Sequence, residues 1–516
     1  MSVSATPTPR SPGDTAAAPA LRMATARGRW VVAATVLGSG MAALDATVVG
    51  IALPAIGRDF HATVASIQWV VDAYTLTLAG LLLLGGKLGD SYGRRKVFSI
   101  GIVWFAVASL LCGLAPSVEI LIAARALQGV GGALLTPGSL AILQASFSWQ
   151  DRSAAIGAWS GLGGIATAAG PFLGGWLISA VSWRLVFFIN LPVAVLVLAI
   201  TARHVPETRA PGPPPRLDYR GAICISGALA GVTYGLIEAS SAGWTVPSVL
   251  VPLVGGVVLL GLFILVEARE SEPMLPLGVF ASRQFSAANA VTFVVYGALG
   301  GVLFLVPVVL QVVRGYTPLQ AGISLLPLTV ILLLLSSRSG ALAARIGPRL
   351  QMSVGPVVIA AGLALFARIG EPGNYVTTVL PAVVVFGLGL AINVAPLTAT
   401  ALAAAPAEHA GIASAVNNDV ARAAGLIAVA VLPVAAGITG DTYLHAAALN
   451  QGFQRAALIA AAFCAAGGVL AALTIRNPAP AVCARAAPQE MSCGLEAPPL
   501  RSLDRTAPPT VAEGKA

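Results

Sequence analysis

Five ionisable side chains, Asp45, Asp72, Arg125, Asp419 and Arg422, stand inside stretches of sequence that are otherwise apolar. If those stretches cross a lipid bilayer, an ionised group at mid-depth costs at least about 2.5 to 3.5 kcal/mol on insertion scales, so it turns toward a cavity or a partner and marks an ion pathway. Burial and a neighbouring guanidinium act in opposite senses on the proton affinity of a carboxyl group. An Asp beside an Arg is therefore a group that can be poised to take up and release a proton when access to it alternates. On this reading Asp45 is the principal proton carrier, Arg125 tunes it and Asp72 is a secondary acid. The competing accounts are a structural Asp45–Arg125 pair that never titrates, and Asp72 as a plain polar cavity liner. Asp419 and Arg422 stand at i and i+3, where a helical ion pair can neutralise itself; Asn417 and Asn418 beside them suit a cavity wall. A self-satisfied pair and contact with substrate or proton both remain open there.

Composition fixes the elements that must carry these residues. Of 516 residues, 57% are hydrophobic and 10% charged, against roughly a quarter charged in an ordinary soluble domain, and the mean hydropathy is +0.85. A water-facing surface cannot be built from that, which excludes a soluble enzyme. The net charge of +9 is scattered between apolar runs, whereas nucleic-acid binding needs it gathered on one face. Apolar runs of about 18 to 28 residues predict an all-α polytopic membrane protein with fourteen transmembrane spans, near 29–51, 64–86, 97–115, 119–143, 153–178, 184–202, 219–238, 248–267, 285–311, 319–337, 352–370, 376–403, 411–438 and 453–475. These ends put Asp45 and Arg125 both roughly 9 Å below the outer surface, and Asp72 at roughly 12 Å.

An even number of spans places both termini on one side. Lys87, Arg94, Arg95, Lys96, Arg152, Arg203, Arg338, Arg345 and Arg349 fall on that side with the basic residues of both tails, while Arg58, Arg184, Arg314, Arg368 and Arg455 fall on the other. The positive-inside bias makes the termini cytoplasmic. An internal repeat supports the layout: Gly86-Lys-Leu-Gly-Asp-Ser-Tyr-Gly-Arg-Arg95 is echoed by Gly340-Ala-Leu-Ala-Ala-Arg-Ile-Gly-Pro-Arg349, and Asp151-Arg152 by Glu408-His409. Spans 1–6 and 9–14 read as two parallel six-helix halves, an arrangement of transporters with the substrate site between the halves. The expected organisation is a tail over 1–28, one half over 29–202, a linker over 203–218 whose prolines forbid a continuous helix, a two-helix insertion over 219–267, the second half over 268–475, and a tail over 476–516. Both tails read as disordered by composition.

The loop Gly86-Lys-Leu-Gly-Asp90-Ser-Tyr-Gly93-Arg94-Arg95-Lys96 resembles the signature loop of the major facilitator superfamily. Physically, Gly93 permits a tight turn, Arg94 and Arg95 hold the loop inside, and Asp90 is placed to bond a neighbouring helix end. Ser91 stands where that superfamily usually has a basic residue. Further stretches resemble its fourteen-span drug/proton antiporter branch: Leu44-Asp45 through Pro54, Gln68-Trp69-Val-Val-Asp72-Ala-Tyr74, Arg125-Ala-Leu-Gln128-Gly129, and Gly157, Gly161, Gly163 and Gly164 followed by Gly170-Pro171-Phe-Leu-Gly174-Gly175 and Ser182-Trp183-Arg184 through Pro192. Gly50 departs from the Asn common in the branch. The resemblance implies a major facilitator fold and an acid in span 1 working with an arginine in span 4, which agrees with Asp45 and Arg125. Independently of it, small residues spaced by three to four let helices approach closely, and Gly170-Pro171 interrupts span 5 so that it can bend; static close packing is the competing account. The resemblance favours exchange over symport.

Trp69, Tyr74, Trp159 and Phe172 are candidate aromatic liners of a substrate cavity, with Gln128, Asn417, Asp419 and Arg422 as its polar groups, a lining that suits amphipathic or cationic organic molecules. No GxxxxGK[ST] is present, so no nucleotide and no cofactor is expected and the energy source is an ion gradient. Cys112, Cys224 and Cys464 lie in apolar runs and Cys483 and Cys493 in the tail, without metal-ligand spacing. Free thiols and no metal are expected, and the four histidines fall in predicted loops. The expectation is a monomeric, multi-pass protein of the bacterial plasma membrane that exports amphipathic toxic compounds in exchange for protons. Uptake of a specific solute by symport is the alternative, and a membrane enzyme or receptor lacks the catalytic cluster or output domain it would need.

Overall fold

A backbone in hydrocarbon must satisfy its own hydrogen bonds, which leaves the helix as the structure open to these apolar runs. The computed structural model describes residues 21–209, 217–270, 273–405 and 410–477. In chain order the helices are α1 (Ala26–Phe60), α2 (Val64–Tyr92), α3 (Arg94–Leu114), α4 (Val118–Ser146), α5 (Trp149–Ala180), α6 (Leu185–Phe188), α7 (Asn190–His204), α8 (Tyr219–Ala242), α9 (Pro247–Arg269), α10 (Arg283–Val312), α11 (Pro318–Ser324), α12 (Leu326–Ile346), α13 (Pro348–Phe366), α14 (Leu380–Ala403), α15 (Ala410–Ala435) and α16 (Ala446–Thr474). They supply 14 spans long and apolar enough to cross a membrane, with α6–α7 forming one and α11–α12 another. Among the described residues no β-strand occurs. The expected tails before residue 21 and after residue 477, the proline-rich stretch 210–216, the Glu408-His409 echo, Cys483 and Cys493 lie outside the described residues; residues 21–28, expected in the first tail, are placed against the bundle, where the Leu21 amide donates to the Ser146 carbonyl at 2.8 Å and α1 begins at Ala26.

Local chemistry sets the helix limits. The side chains of Thr25, Thr63, Ser117, Asp218, Ser282 and Thr317 each accept an amide hydrogen bond at a helix start, satisfying one of the free N–H groups there. Gly93 (φ 113°) and Gly347 (φ 83°), equivalent positions of the repeat, break α2 from α3 and α12 from α13 in backbone conformations that side chains disfavour. The repeat extends to packing. A Cβ on Gly131 of α4 would stand 2.6 Å from the Phe105 nitrogen of α3, and one on Gly389 of α14 would stand 2.5 Å from the Ile359 nitrogen of α13. Helices α8 and α9 pack on each other through Gly231 and Gly256, and α8 also rests on α2 and α15.

Several predicted limits move. Helix α1 runs to Phe60, nine residues past the expected end of span 1, so Asp45 lies near the middle of a long helix. Arg338 and Arg345 ride on α12, past the expected end of span 10, rather than in a loop. His204 ends α7 and stacks on Trp30.

The halves meet at the end opposite the termini. Gln68 Nε2 of α2 donates to the carbonyls of Val429 (2.5 Å) and Ala430 of α15, Gln311 of α10 donates to the Ile51 carbonyl of α1 at 3.0 Å, and the Tyr443 hydroxyl donates to the Ala62 carbonyl at 2.6 Å. One apolar core there joins Val48, Leu53 and Ile67 to Val302, Leu305 and Phe453. Helix α5 crosses α11 so closely that a Cβ on Gly322 would collide with the Pro171 carbonyl, and one on Gly175 with Pro318. Toward the termini the halves separate: Gly157, Gly161, Gly163 and Gly164 of α5 have open space where a Cβ would be, and Ser339 is the one buried residue of α12. Gly322→Val, which forces α11 off α5, is expected to loosen this closure. A Cys replacing Ser179, in a background without the tail cysteines, should then react several-fold faster with an impermeant thiol reagent added from outside; an unchanged rate would contradict the crossing.

Candidate functional site

Asp45, on α1, is fully buried and accepts from donors on two other helices. Its Oδ2 accepts from Arg125 Nη1 of α4 at 2.5 Å, and its Oδ1 accepts from Gln128 Nε2 at 2.8 Å and Asn190 Nδ2 of α7 at 3.2 Å. Gln128 follows Arg125 by three residues, so both face α1 from one side of α4. Arg125 Nη1 also donates to Gln128 Oε1 at 2.7 Å, and Arg125 Nε to the Val70 carbonyl of α2 at 3.0 Å. Ser109 of α3 accepts from Gln128 and Asn190 and donates to the Phe187 carbonyl at 2.9 Å. The Tyr74 ring lies 4.3 Å from the guanidinium carbon and Phe187 5.9 Å away, adding cation–π attraction in a dry site. Asp45 is 0% and Arg125 1% exposed. A buried ion pair is tolerated only when its remaining hydrogen-bonding capacity is met, and the amides and hydroxyl of Gln128, Asn190 and Ser109 meet it here.

Asp45, Arg125 and Gln128 thus come together, with Gln128 in the ionic network rather than in a cavity wall, and Tyr74 over the arginine rather than over substrate. Ser109 is the member that no sequence motif marked, and Asn190 stood in a quoted stretch with no role given to it. Asp72 stays apart. It is 1% exposed, and neither carboxylate oxygen has a hydrogen-bond partner.

The other expected site residues scatter. Asp90 pairs with Arg94 at 2.8 Å within its own loop instead of bonding a helix end. That bond is made by Glu207, whose carboxylate accepts from the Arg95 and Lys96 amides at 3.1 and 3.2 Å and lies where a Gly93 Cβ would be; the Arg95 guanidinium donates to the Val205 carbonyl. Gly86 has only Pro137 near its Cβ position. On α5, a Cβ on Gly170 would strike Thr47 and one on Gly174 would strike Val48, both of α1, while Pro171 backs onto α11. Gly161 touches nothing, so close packing does not apply at that position. Trp69 packs against Tyr234 of the insertion, Trp159 donates to Ser39 at 2.8 Å, and Phe172 is exposed, so these are not joint liners of one cavity. Asn417 donates to Asn289 and Thr292 of α10, tying helices within one half. Asp419 and Arg422 are not among the four ion pairs of the described residues, and Asp419 Oδ1 and Arg422 Nε are buried without a partner. A self-satisfied pair is therefore not formed. Among the described residues no group of three or more His, Cys, Asp or Glu side chains is placed to hold a metal.

The profile of the Major Facilitator Superfamily matches residues 35–430. A tetracenomycin C resistance and export protein of Streptomyces glaucescens is 38% identical over 421 residues, covering 81% of this chain and 78% of its own. A puromycin resistance protein of Streptomyces alboniger is 38% identical over 410 residues, covering 78% and 80%, and the multidrug resistance protein Stp of Mycobacterium tuberculosis 36% over 403, covering 77% and 74%. Among solved structures, a bacterial homolog of the human lysosomal transporter Spinster, inward-facing and unoccupied, shares the fold with a TM-score of 0.62 at 16% identity, covering 88% of this chain and 100% of that one.

Removing one member of a buried pair strands the other charge at a cost of about 3 to 5 kcal/mol, whereas removing both relieves it. Arg125→Gln is expected to lower the melting temperature of the purified protein more than the double variant Asp45→Asn with Arg125→Gln. Losses that simply add would contradict the pairing.

Proposed function

The chain belongs to the Major Facilitator Superfamily, a superfamily of transporters and not enzymes, and from that premise we propose that it exports amphipathic, antibiotic-like molecules across the bacterial plasma membrane in exchange for protons. The observation that carries the reading is the sealed Asp45–Arg125 network, an acid whose charge is matched by a guanidinium that never deprotonates. A proton arriving on Asp45 cancels the attraction to Arg125. Arg125 keeps Gln128 and the Val70 carbonyl, so α1 is the element released. With the termini cytoplasmic, as the basic residues favour, the closure through Gln68, Gln311 and Tyr443 is the outer gate and the opening at α5 and α12 faces the cytoplasm.

Alternating access then follows from rocking the α1–α7 half against the α10–α16 half. Asp72, an acid with no hydrogen-bond partner, serves as the secondary proton site. Asp419 and Arg422, left unpaired with each other on α15, are the polar groups available to an amphipathic substrate. The names of the relatives support the substrate class: each printed name concerns resistance to, or export of, an antibiotic or drug. The proton gradient supplies the energy, and one chain is the working unit.

Purified protein in liposomes tests the exchange. An imposed proton gradient should drive a lipophilic cationic dye against the direction of proton flow, and Asp45→Asn should abolish this while leaving folded protein in the membrane. Coupled transport retained by Asp45→Asn would overturn the assignment of Asp45; dye accumulating in the direction of proton flow would make the protein a symporter. In a drug-sensitive host, the same variant should lose the resistance that the unaltered protein confers.

A further inference from the structure

Away from the Asp45 network, a second pair of buried carboxyls sits where the insertion meets α2. Asp218 caps the start of α8 and Glu267 lies in the last turn of α9; they are 6% and 3% exposed. Asp218 Oδ1 accepts from the Gly221 amide at 2.8 Å, and Glu267 Oε2 accepts from the Leu275 amide at 2.9 Å. The other two oxygens, Asp218 Oδ2 and Glu267 Oε1, have no hydrogen-bond partner. A Cβ added to Gly221 would run into both of them, so they flank a single point. Apolar side chains close the surroundings, with Cys224, Phe263 and Met274 buried and Leu84 of α2 packed against them.

Among the described residues, the charged groups around that point are the two acids themselves, from the start of α8 and the end of α9, and Lys87 of α2, whose charge acts on Glu267. The Lys87 Nζ also donates to the Pro273 carbonyl at 3.2 Å, two residues before the Leu275 amide that holds Glu267. Two ionised carboxylates cannot share a buried site with no donor between them. A single proton turns the contact into an O–H···O⁻ hydrogen bond, which is among the stronger kinds.

We propose that Asp218 and Glu267 form a proton-binding site, separate from Asp45, whose one shared proton holds the insertion against the signature-loop end of α2. Loss of that proton to bulk solvent leaves two negative charges facing each other and pushes the start of α8 from the end of α9. The folded pair thus holds a proton that the two acids, separated in the unfolded chain, give up at lower pH; the stability it contributes is present in acid and is lost as the pH rises.

The test uses the full chain in lipid nanodiscs, melted between about pH 5 and about pH 9 in choline chloride. The melting temperature of the unaltered protein should fall by several degrees as the pH rises. In Asp218→Asn or Glu267→Gln the new amide donates to the remaining carboxylate without a titrating proton, so the fall should flatten. Infrared spectra should lose one protonated-carboxyl C=O stretching band in either variant. Should Glu267→Gln fail to fold, Asp218→Asn, which keeps the cap oxygen for Gly221, carries the comparison with the infrared band. The same pH slope in the unaltered protein and the variants overturns the proposal. So does a melting temperature restored at high pH by replacing choline with sodium, since a cation would then sit between the oxygens. None of these readouts is transport, so failure here leaves the exchange reading standing.

Discussion

The structure of the α1–α7 half depends on one requirement: the buried charges of Asp45 and Arg125 must be compensated completely. Water is excluded from both, and an uncompensated ion in such a place costs several kcal/mol. Compensation needs the carboxylate, two amides, a hydroxyl and a main-chain carbonyl brought to one point from α1, α2, α3, α4 and α7. That demand fixes the rotation of each of these helices about its axis. It explains the close approach of α4 to its neighbours, where Gly129 leaves no room for a Cβ beside Tyr74 and Gly131 none beside Phe105. Larger residues at either position would move Gln128 or Arg125 out of reach of Asp45.

The second half keeps the geometry of the repeat but not the ion pair at its turn. Gly347 turns the chain as Gly93 does, and Gly389 packs on Ile359 as Gly131 packs on Phe105. Yet Ala344 and Pro348 stand where the first copy has Asp90 and Arg94. Asn417 joins α15 to α10 through Asn289 and Thr292, a neutral tie that does not respond to a proton. On the proposed coupling through Asp45, motion between the halves has to be transmitted by an element common to both. Helix α1 is that element: its middle holds Asp45, and its outer part packs into the core of the other half and accepts from Gln311 at Ile51.

Much of this was legible in the sequence, because membrane solvation writes strong signals. Apolar runs of bilayer length gave the helices, and charges inside them marked Asp45 and Arg125 as partners. Partners that are themselves neutral carry no such signal. Ser109 and Asn190 are ordinary polar residues in their segments, and only the fold brings them to Asp45 from 64 and 145 positions away in the chain. Glu207 was missed because a charge in a loop is ordinary, and only the fold brings its carboxylate to the start of α3, four helices back along the chain. Span ends misled where polarity and helicity part company. Residues 52–60 continue α1 beyond the apolar run, because the core contributed by the opposite half buries Leu53 and Ile56 as well as lipid would. Trp69 and Tyr74 looked alike as aromatic residues five apart on one helix, yet one meets the insertion and the other an arginine.

The chemistry of the closure differs in kind from that of the network, and the difference bears on how the two can be coupled. Where the halves meet, the contacts named are hydrogen bonds from Gln68, Gln311 and Tyr443 to main-chain carbonyls, together with apolar packing. Neutral hydrogen bonds contribute roughly 1 kcal/mol each, since water replaces them when they part. Each apolar side chain of the shared core adds roughly 1.5 to 3 kcal/mol if it is exposed to water, so opening costs apolar burial but leaves no charge stranded. The Asp45–Arg125 pair is the opposite case, costly to disturb unless a proton arrives to neutralise the acid. On the proposed coupling, a proton changes the term in the middle of α1 and leaves the neutral contacts at its far end unchanged. Protonation then biases the closure only to the extent that α1 carries the change at Asp45 to the core it shares with the other half.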